Sequence, residues 1–177
     1  AGVLNMVVGD GAVGEALVAH PAIDAITFTG STGVGRRIAA TAAARGVPVQ
    51  AEMGGKNAAV VLDDADFDLA LEQVMLGAFR STGQKCTATS RLIVTDAIAD
   101  RFVQALTARA AALAVGDPSD DATQMGPVIS DAAQAGITAG IRAAVAQGGS
   151  VLTGGGPYAE GLLAEGYFIA PTVVELT

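Results

Sequence analysis

The stretch Ala25-Ile26-Thr27-Phe28-Thr29-Gly30-Ser31-Thr32-Gly33-Val34-Gly35 carries a short apolar run through a Gly/Ser/Thr turn into an alanine-rich segment that ends at Arg45-Gly46. The run predicts a buried strand over residues 25–28 and the turn opens a helix over 34–45, with Gly46 suited to the position just past its end. The same unit recurs along the chain. A strand predicted over 3–8 leads to Asp10, an N-cap, and to a helix over 12–20 that Pro21 stops. Strands over 47–53 and 58–62 flank Gly54-Gly55. The carboxylates of Asp63, Asp64, Asp66 and Asp68 then open a helix over 67–80, where they suit the positive end of the helix dipole. A loop over 81–87 is followed by a strand over 92–95, helices over 97–115 and 131–147, and short strands near Val151 and over 167–174. Strands alternating with helices define an α/β fold with a mostly parallel sheet. The glycine pair marks the expected seam between residues 1–53 and 54–177.

At 177 residues the chain has room for one domain or slightly more. Ten basic against 18 acidic residues give a net charge of −8, which excludes the basic footprint of a nucleic-acid binder. Hydrophobic residues at 51% and charged residues at 16% describe a globular chain. The mean hydropathy of +0.47 reflects the alanine content, not a membrane span. The longest uncharged stretch, residues 143–159, contains Gly148, Gly149, Gly154, Gly155, Gly156 and Pro157, a composition unlike the ~20 apolar residues of a spanning helix. A soluble chain is expected. The first methionine is Met6, no basic-then-apolar leader precedes it, and the end lies in the apolar run Val173-Val174-Glu175-Leu176-Thr177. These features lead to the expectation of a central piece of a longer cytoplasmic protein. One cysteine, Cys86, and one histidine, His20, exclude an internal disulfide, a Cys/His metal cluster and a His-dependent triad.

Four features have chemical potential. Gly9-Asp10-Gly11-Ala12-Val13-Gly14 satisfies G-x-G-x-x-G, either as a pyrophosphate grip or as a tight turn, and the acidic residue expected at a strand end about 20 residues on is missing. Gly30-Ser31-Thr32-Gly33-Val34-Gly35-Arg36-Arg37 nearly spells a P-loop, but Arg36 stands where the phosphate lysine belongs and Arg37 where the magnesium-binding hydroxyl belongs. What survives is a turn of backbone amides at a helix N-terminus, able to hold an anion. Glu52 lies among apolar strand residues, a setting whose desolvation suits a general base; a carboxylate paired with a distant arginine is the alternative. Cys86 sits among Gly83, Gln84, Lys85 and Thr87, a polar loop that can favour thiolate, although most cysteines are inert and buried.

Taken together, these blocks resemble the aldehyde dehydrogenase superfamily. Phe28-Thr29-Gly30-Ser31-Thr32-Gly33-Val34-Gly35, then Ala51-Glu52-Met53-Gly54-Gly55-Lys56-Asn57, then Phe79-Arg80-Ser81-Thr82-Gly83-Gln84-Lys85-Cys86-Thr87 follow that family's order and its Glu–Cys interval. Val115-Gly116-Asp117-Pro118, Met125-Gly126-Pro127-Val128, Gly166-Tyr167-Phe168 and Ala170-Pro171-Thr172 extend the likeness over essentially the whole chain.

The resemblance implies the end of a Rossmann-like cofactor domain (residues 1–53) and the start of an α/β catalytic domain (54–177). It implies Cys86 as the nucleophile toward a small aldehyde and Glu52 as the base that hydrolyses the thioester. Family members that acylate coenzyme A tend to lack that base, so Glu52 favours a free acid product. Gly30, Ser31, Thr32, Gly33, Val34 and Gly35 match the segment facing the pyrophosphate of NAD or NADP, with Ser31 the side-chain donor. Met53 and Gly54 match positions near the nicotinamide, and Gly11 matches an adenine-side turn. Gln84-Lys85-Cys86-Thr87-Ala88-Thr89-Ser90-Arg91 is similar to the segment of dehydrogenases acting on 2-oxoglutarate semialdehyde. The family's oxyanion asparagine, ribose-binding lysine, Glu-x-Phe-Gly-Pro block and subunit-pairing strands have no counterpart in these residues. The resemblance also implies a parent that is a dimer or tetramer of identical subunits, and the missing blocks lead to the expectation that the 177-residue chain holds nucleophile and base without turning over alone. The competing reading is a structural module in which Cys86 and Glu52 are vestigial.

Overall fold

Four short polar side chains set where helices begin. Asp10, Ser31, Asp66 and Ser130 accept from the backbone N–H of Ala12 (3.0 Å), Val34 (3.4 Å), Leu69 (3.1 Å) and Ala133 (3.2 Å), groups that lack an intrahelical partner. The computed structural model describes residues 2–176, and the chain divides into two compact units, Ala1–Gly55 and Lys56–Thr177. The fold is α/β in both.

In the first unit, helix α1 (Gly11–Ala19) precedes strand β1 (Ile26–Gly30), helix α2 (Thr32–Ala44) and strand β2 (Val49–Met53). The two strands pair in parallel from Ile26↔Val49 to Gly30↔Met53, with α2 as the crossover that parallel pairing requires. Gly35 and Ala42 are the buried residues of α2, one face seven residues apart. The helix ends in a Schellman motif: Gly46 at φ +69° donates to Ala43, and Val47 donates to Ala42. Arg45, at the same end, ties the unit together by donating to the carbonyls of Val18 (2.5 Å), His20 (2.7 Å) and Ile23 (3.2 Å).

The strand expected over residues 3–8 does not form. Val3, Leu4, Met6, Val7 and Val8 are all exposed, and no pairing partner for them exists among the described residues. An apolar run becomes a strand only when a neighbour takes its backbone groups. The G-x-G-x-x-G at Gly9 therefore opens a helix without following a strand.

In the second unit, β3 (Asn57–Val61) and β4 (Thr89–Val94) are parallel and joined through helix α3 (Phe67–Phe79) and a 3-10 turn, Arg80–Gly83. Helices α4 (Asp96–Ala111) and α5 (Asp131–Ala146) follow, then the antiparallel pair β5 (Ser150–Thr153) and β6 (Val173–Glu175). The core gathers Val61, Leu71, Val74, Met75, Phe102, Leu106 and Ala110 from β3, α3 and α4. Phe102, fully buried, meets the ring of Phe67 edge-on at 5.4 Å, and the guanidinium of Arg101 covers the other aromatic partner, Phe67, at 4.0 Å. Phe102→Ala is expected to destabilise this unit by about 3–5 kcal/mol, the sum of lost transfer energy and a cavity. A denaturant titration of the variant checks this; an unchanged midpoint would contradict the core described.

Two boundaries differ from expectation. The helix expected over 97–115 stops at Ala111, because Gln124 captures Ala114: its side chain accepts from the Ala114 N–H (2.9 Å) and its own N–H donates to the Ala114 carbonyl (2.8 Å). The strand expected over 167–174 shrinks to β6. Tyr167 and Ala170 bond instead to Val128 and Gly156, and Pro171 has no N–H to give. No helix among the described residues is long and apolar enough to cross a membrane.

Candidate active site

Parallel pairing brings two of the quoted blocks together at one end of the first unit. Thr29 lies beside Glu52 and Gly30 beside Met53, so the Gly30–Gly35 turn and the Glu52-Met53-Gly54 segment leave the same, C-terminal edge of the strand pair. That edge is where open α/β sheets place their ligands. Ser31 caps α2 through its oxygen and keeps its own O–H free to donate. The first i→i−4 bond of α2 runs from Gly35 to Ser31 (2.9 Å), which leaves the N–H groups of Thr32 and Gly33 without an intrahelical acceptor.

The glycines divide into two kinds. A Cβ on Gly35 would fall 2.6 Å from the Met53 sulfur, and one on Gly30 would fall 2.5 Å from the Phe28 ring. Those two are required by packing of helix and ring onto the strands. At Gly11 and Gly33 a Cβ would meet nothing within 4 Å. A cavity of about 640 Å³ opens between α1, β1 and α2, lined among others by Gly11, Gly14, Val18, Phe28, Val34 and Ile38.

Glu52 corrects the expectation of a desolvated carboxylate. Val49, Ala51 and Met53 take the covered face of β2, and strand alternation turns Gln50 and Glu52 to the exposed face. No burial acts on Glu52 within this unit.

Cys86 lies in the second unit, exposed, at the tip of a turn closed by a bond from the Ala88 N–H to the Lys85 carbonyl (3.0 Å). The approach to that turn is unusual. Ser81 (φ 54°) and Thr82 (φ 56°) are both left-handed, as is Gly83 (φ 66°), and each non-glycine residue there costs about 1–3 kcal/mol. Such strain persists only where surroundings impose it. Here Gln84 bridges the segment, its amide N–H donating to the Thr82 hydroxyl while its carbonyl accepts from the Ile129 N–H (3.0 Å). From below, the side-chain amide of Asn57 donates to the carbonyls of Cys86 (2.7 Å) and Ala88 (3.1 Å). Neither tether follows from the sequence by pattern: Asn57 stands out only as the end of the Glu52 block, and Ile129 has no distinguishing signal. Elsewhere in this unit Asp117 is held below the usual carboxylate range by the N–H and hydroxyl of Ser119, both at 2.8 Å.

The chain belongs to the aldehyde dehydrogenase family, whose pattern it matches over residues 1–177. It is 44% identical over 176 residues to an alpha-ketoglutaric semialdehyde dehydrogenase of Bacillus subtilis, covering 99% of this chain and 36% of that protein. It is 42% identical over 172 residues to a betaine aldehyde dehydrogenase of Rhizobium johnstonii, covering 97% of this chain and 35% of that one. Among solved structures, the betaine aldehyde dehydrogenase of Staphylococcus aureus, in complex with NAD+, superposes with a TM-score of 0.92 at 37% identity, over 95% of this chain and 34% of that one. The chain thus spans about a third of the length of these relatives.

Proposed function

We propose that the protein carrying this chain oxidises an aldehyde to a carboxylic acid with NAD or NADP, the first unit forming part of the cofactor domain and the second part of the thiol-bearing catalytic domain. The Cys86 thiolate adds to the aldehyde carbon and makes a C–S bond, with the carbonyl oxygen taking the negative charge. Loss of hydride from that carbon turns the adduct into a thioester. A dinucleotide held by the first unit would supply the hydride acceptor. Glu52 then takes a proton from water as the water oxygen attacks the thioester, the C–S bond breaks, and acid and free thiol are released. Covalent capture thereby splits one difficult oxidation into two easier steps.

The observation that carries the cofactor reading is open backbone beside a cavity and a helix N-terminus: a Cβ at Gly11, Gly14 or Gly33 would meet no neighbour. Gly11 lines the cavity and Gly33 lies in the turn beside the unpartnered N–H groups of α2. Bare backbone and free amides at a helix N-terminus fit a dinucleotide: Gly11 toward the adenine side, Gly30, Ser31, Thr32, Gly33, Val34 and Gly35 toward the pyrophosphate, Met53 and Gly54 toward the nicotinamide.

For the substrate, the identity to the alpha-ketoglutaric semialdehyde dehydrogenase supports 2-oxoglutarate semialdehyde, an anion. The nearly equal identity to a betaine aldehyde dehydrogenase supports a quaternary ammonium aldehyde as the second reading. The opposite charges separate them. The full-length protein is expected to reduce NAD+ or NADP+ with 2-oxoglutarate semialdehyde at a kcat/KM well above that for betaine aldehyde or propanal, yielding free acid. A preference for betaine aldehyde would select the second reading; formation of an acyl-coenzyme A product, or reduction independent of aldehyde, would refute the hydrolytic mechanism.

A further inference from the structure

The β3–β4 ladder is regular along its length except at its first pair. Asn57 is opposite Thr89, but Ala58 is opposite Arg91, so Ser90 is an extra residue on β4. This bulge lies immediately after the turn that bears Cys86, and bulges are devices for re-aiming a strand end beside a site. Two bonds close around it. The Ser90 hydroxyl donates to the Asn57 carbonyl (3.3 Å), and the Asn57 side chain reaches the carbonyls of Cys86 and Ala88. Two carbonyl acceptors on one side-chain end leave a single workable orientation of the amide: its NH2 faces both, and both of its protons are committed.

We propose that Asn57 is a positioning residue for the thiol, a reading that rests on Cys86 being the nucleophile. The bond to the Cys86 carbonyl fixes the peptide plane between Cys86 and Thr87, and the bond to Ala88 fixes the far side of the same turn. With both held, the Cα–Cβ direction of Cys86 has little freedom, so the Sγ is aimed before substrate arrives. An exposed turn following three left-handed residues has no buried contacts to do this, since Lys85, Cys86 and Thr87 are all exposed. Side-chain hydrogen bonds must supply the order instead. The glutamine tether at Gln84 holds the segment before the cysteine; Asn57 holds the cysteine itself.

The test compares Asn57→Ala, Asn57→Ser and Asn57→Asp in the full-length protein, with Cys86→Ala as the reference. Misplacing a reacting group by about 1 Å costs on the order of 10²-fold, so Asn57→Ala is expected to lower kcat by about ten- to a hundredfold with KM for the dinucleotide within about twofold. Asn57→Ser, which keeps one donor, falls between wild type and alanine. Asn57→Asp keeps the shape but turns lone pairs on the two carbonyls, and falls at or below alanine. The fall in kcat persists when the rate is expressed per folded molecule, with the folded fraction taken from circular dichroism, which a loss of folded protein would not produce. Full kcat in Asn57→Ala, or a loss that vanishes once corrected for the unfolded fraction, overturns the proposal while leaving Cys86 as nucleophile. Undiminished activity in Cys86→Ala overturns the nucleophile, and the proposal with it.

Discussion

Cys86→Ala is expected to abolish aldehyde oxidation by the full-length protein, and Cys86→Ser to leave a trace. Without the sulfur no covalent adduct forms, and hydride would have to leave an aldehyde or its hydrate unaided. Removing a nucleophile from such a site costs on the order of 10⁴-fold or more in kcat. The serine variant does little better, because a hydroxyl is a far weaker nucleophile at neutral pH than a thiol with a few per cent thiolate. Cys86 is exposed on a turn, and changes at such positions alter stability by no more than about 0.5 kcal/mol. Thermal unfolding should therefore match wild type, which separates a chemical loss from a folding one. Dinucleotide binding, followed by fluorescence quenching or calorimetry, should also persist, since the glycines and amides assigned to it belong to the first unit.

Glu52→Gln carries the second large effect and a different kinetic signature. The amide has the size and shape of the carboxylate but cannot take a proton from water. Loss of a general base lowers the rate of its step by about 10²–10⁴-fold. In the proposed mechanism only thioester hydrolysis uses that base, so adduct formation and hydride loss should continue at wild-type rate. Rapid mixing is expected to show one equivalent of reduced dinucleotide per active site in a burst, followed by a steady state slower by that factor. Because Glu52 lies on the exposed face of β2, alternating with Gln50, the substitution should not disturb the strand pairing. A variant that loses the burst along with the steady state would make Glu52 a requirement for the thiol step instead, and would move the base assignment elsewhere.

Local chemistry made part of this fold legible. Asp10 is legible as a helix start because capping is decided within three residues, and Gly46 as a helix end for the same reason, whereas the caps at Ser31, Asp66 and Ser130 emerge only in the structure. What failed depended on partners distant in sequence. Residues 3–8 have the composition of a strand and, among the described residues, no neighbour to pair with, while the Tyr167 carbonyl accepts from the Val128 N–H and the Ala170 N–H donates to Gly156, which no periodicity reveals. The exposure of Glu52 is legible in the alternation of Val49-Gln50-Ala51-Glu52-Met53, apolar and polar residues with the period of a half-covered strand.

The candidate site divides in the same way. Cys86, Glu52 and the Gly30–Gly35 turn stand out as types and blocks in the sequence. The support beneath the thiol does not, because Asn57 reaches Cys86 only through the β3–β4 register and the bulge at Ser90. The left-handed Ser81 and Thr82 are equally silent, since neither residue type favours that region and the tether from Gln84 to Ile129 joins residues 45 apart in sequence.

The most direct test of the assignment of Cys86 and Glu52 is the mass of the Glu52→Gln protein, acid-quenched after mixing with aldehyde and NAD or NADP and mapped by peptide. The mechanism predicts an acyl group, the aldehyde's mass less one hydrogen replacing the thiol hydrogen, on the peptide containing Cys86 at up to one per active site. An unmodified Cys86 during turnover, or an acyl group on any other residue, would contradict it.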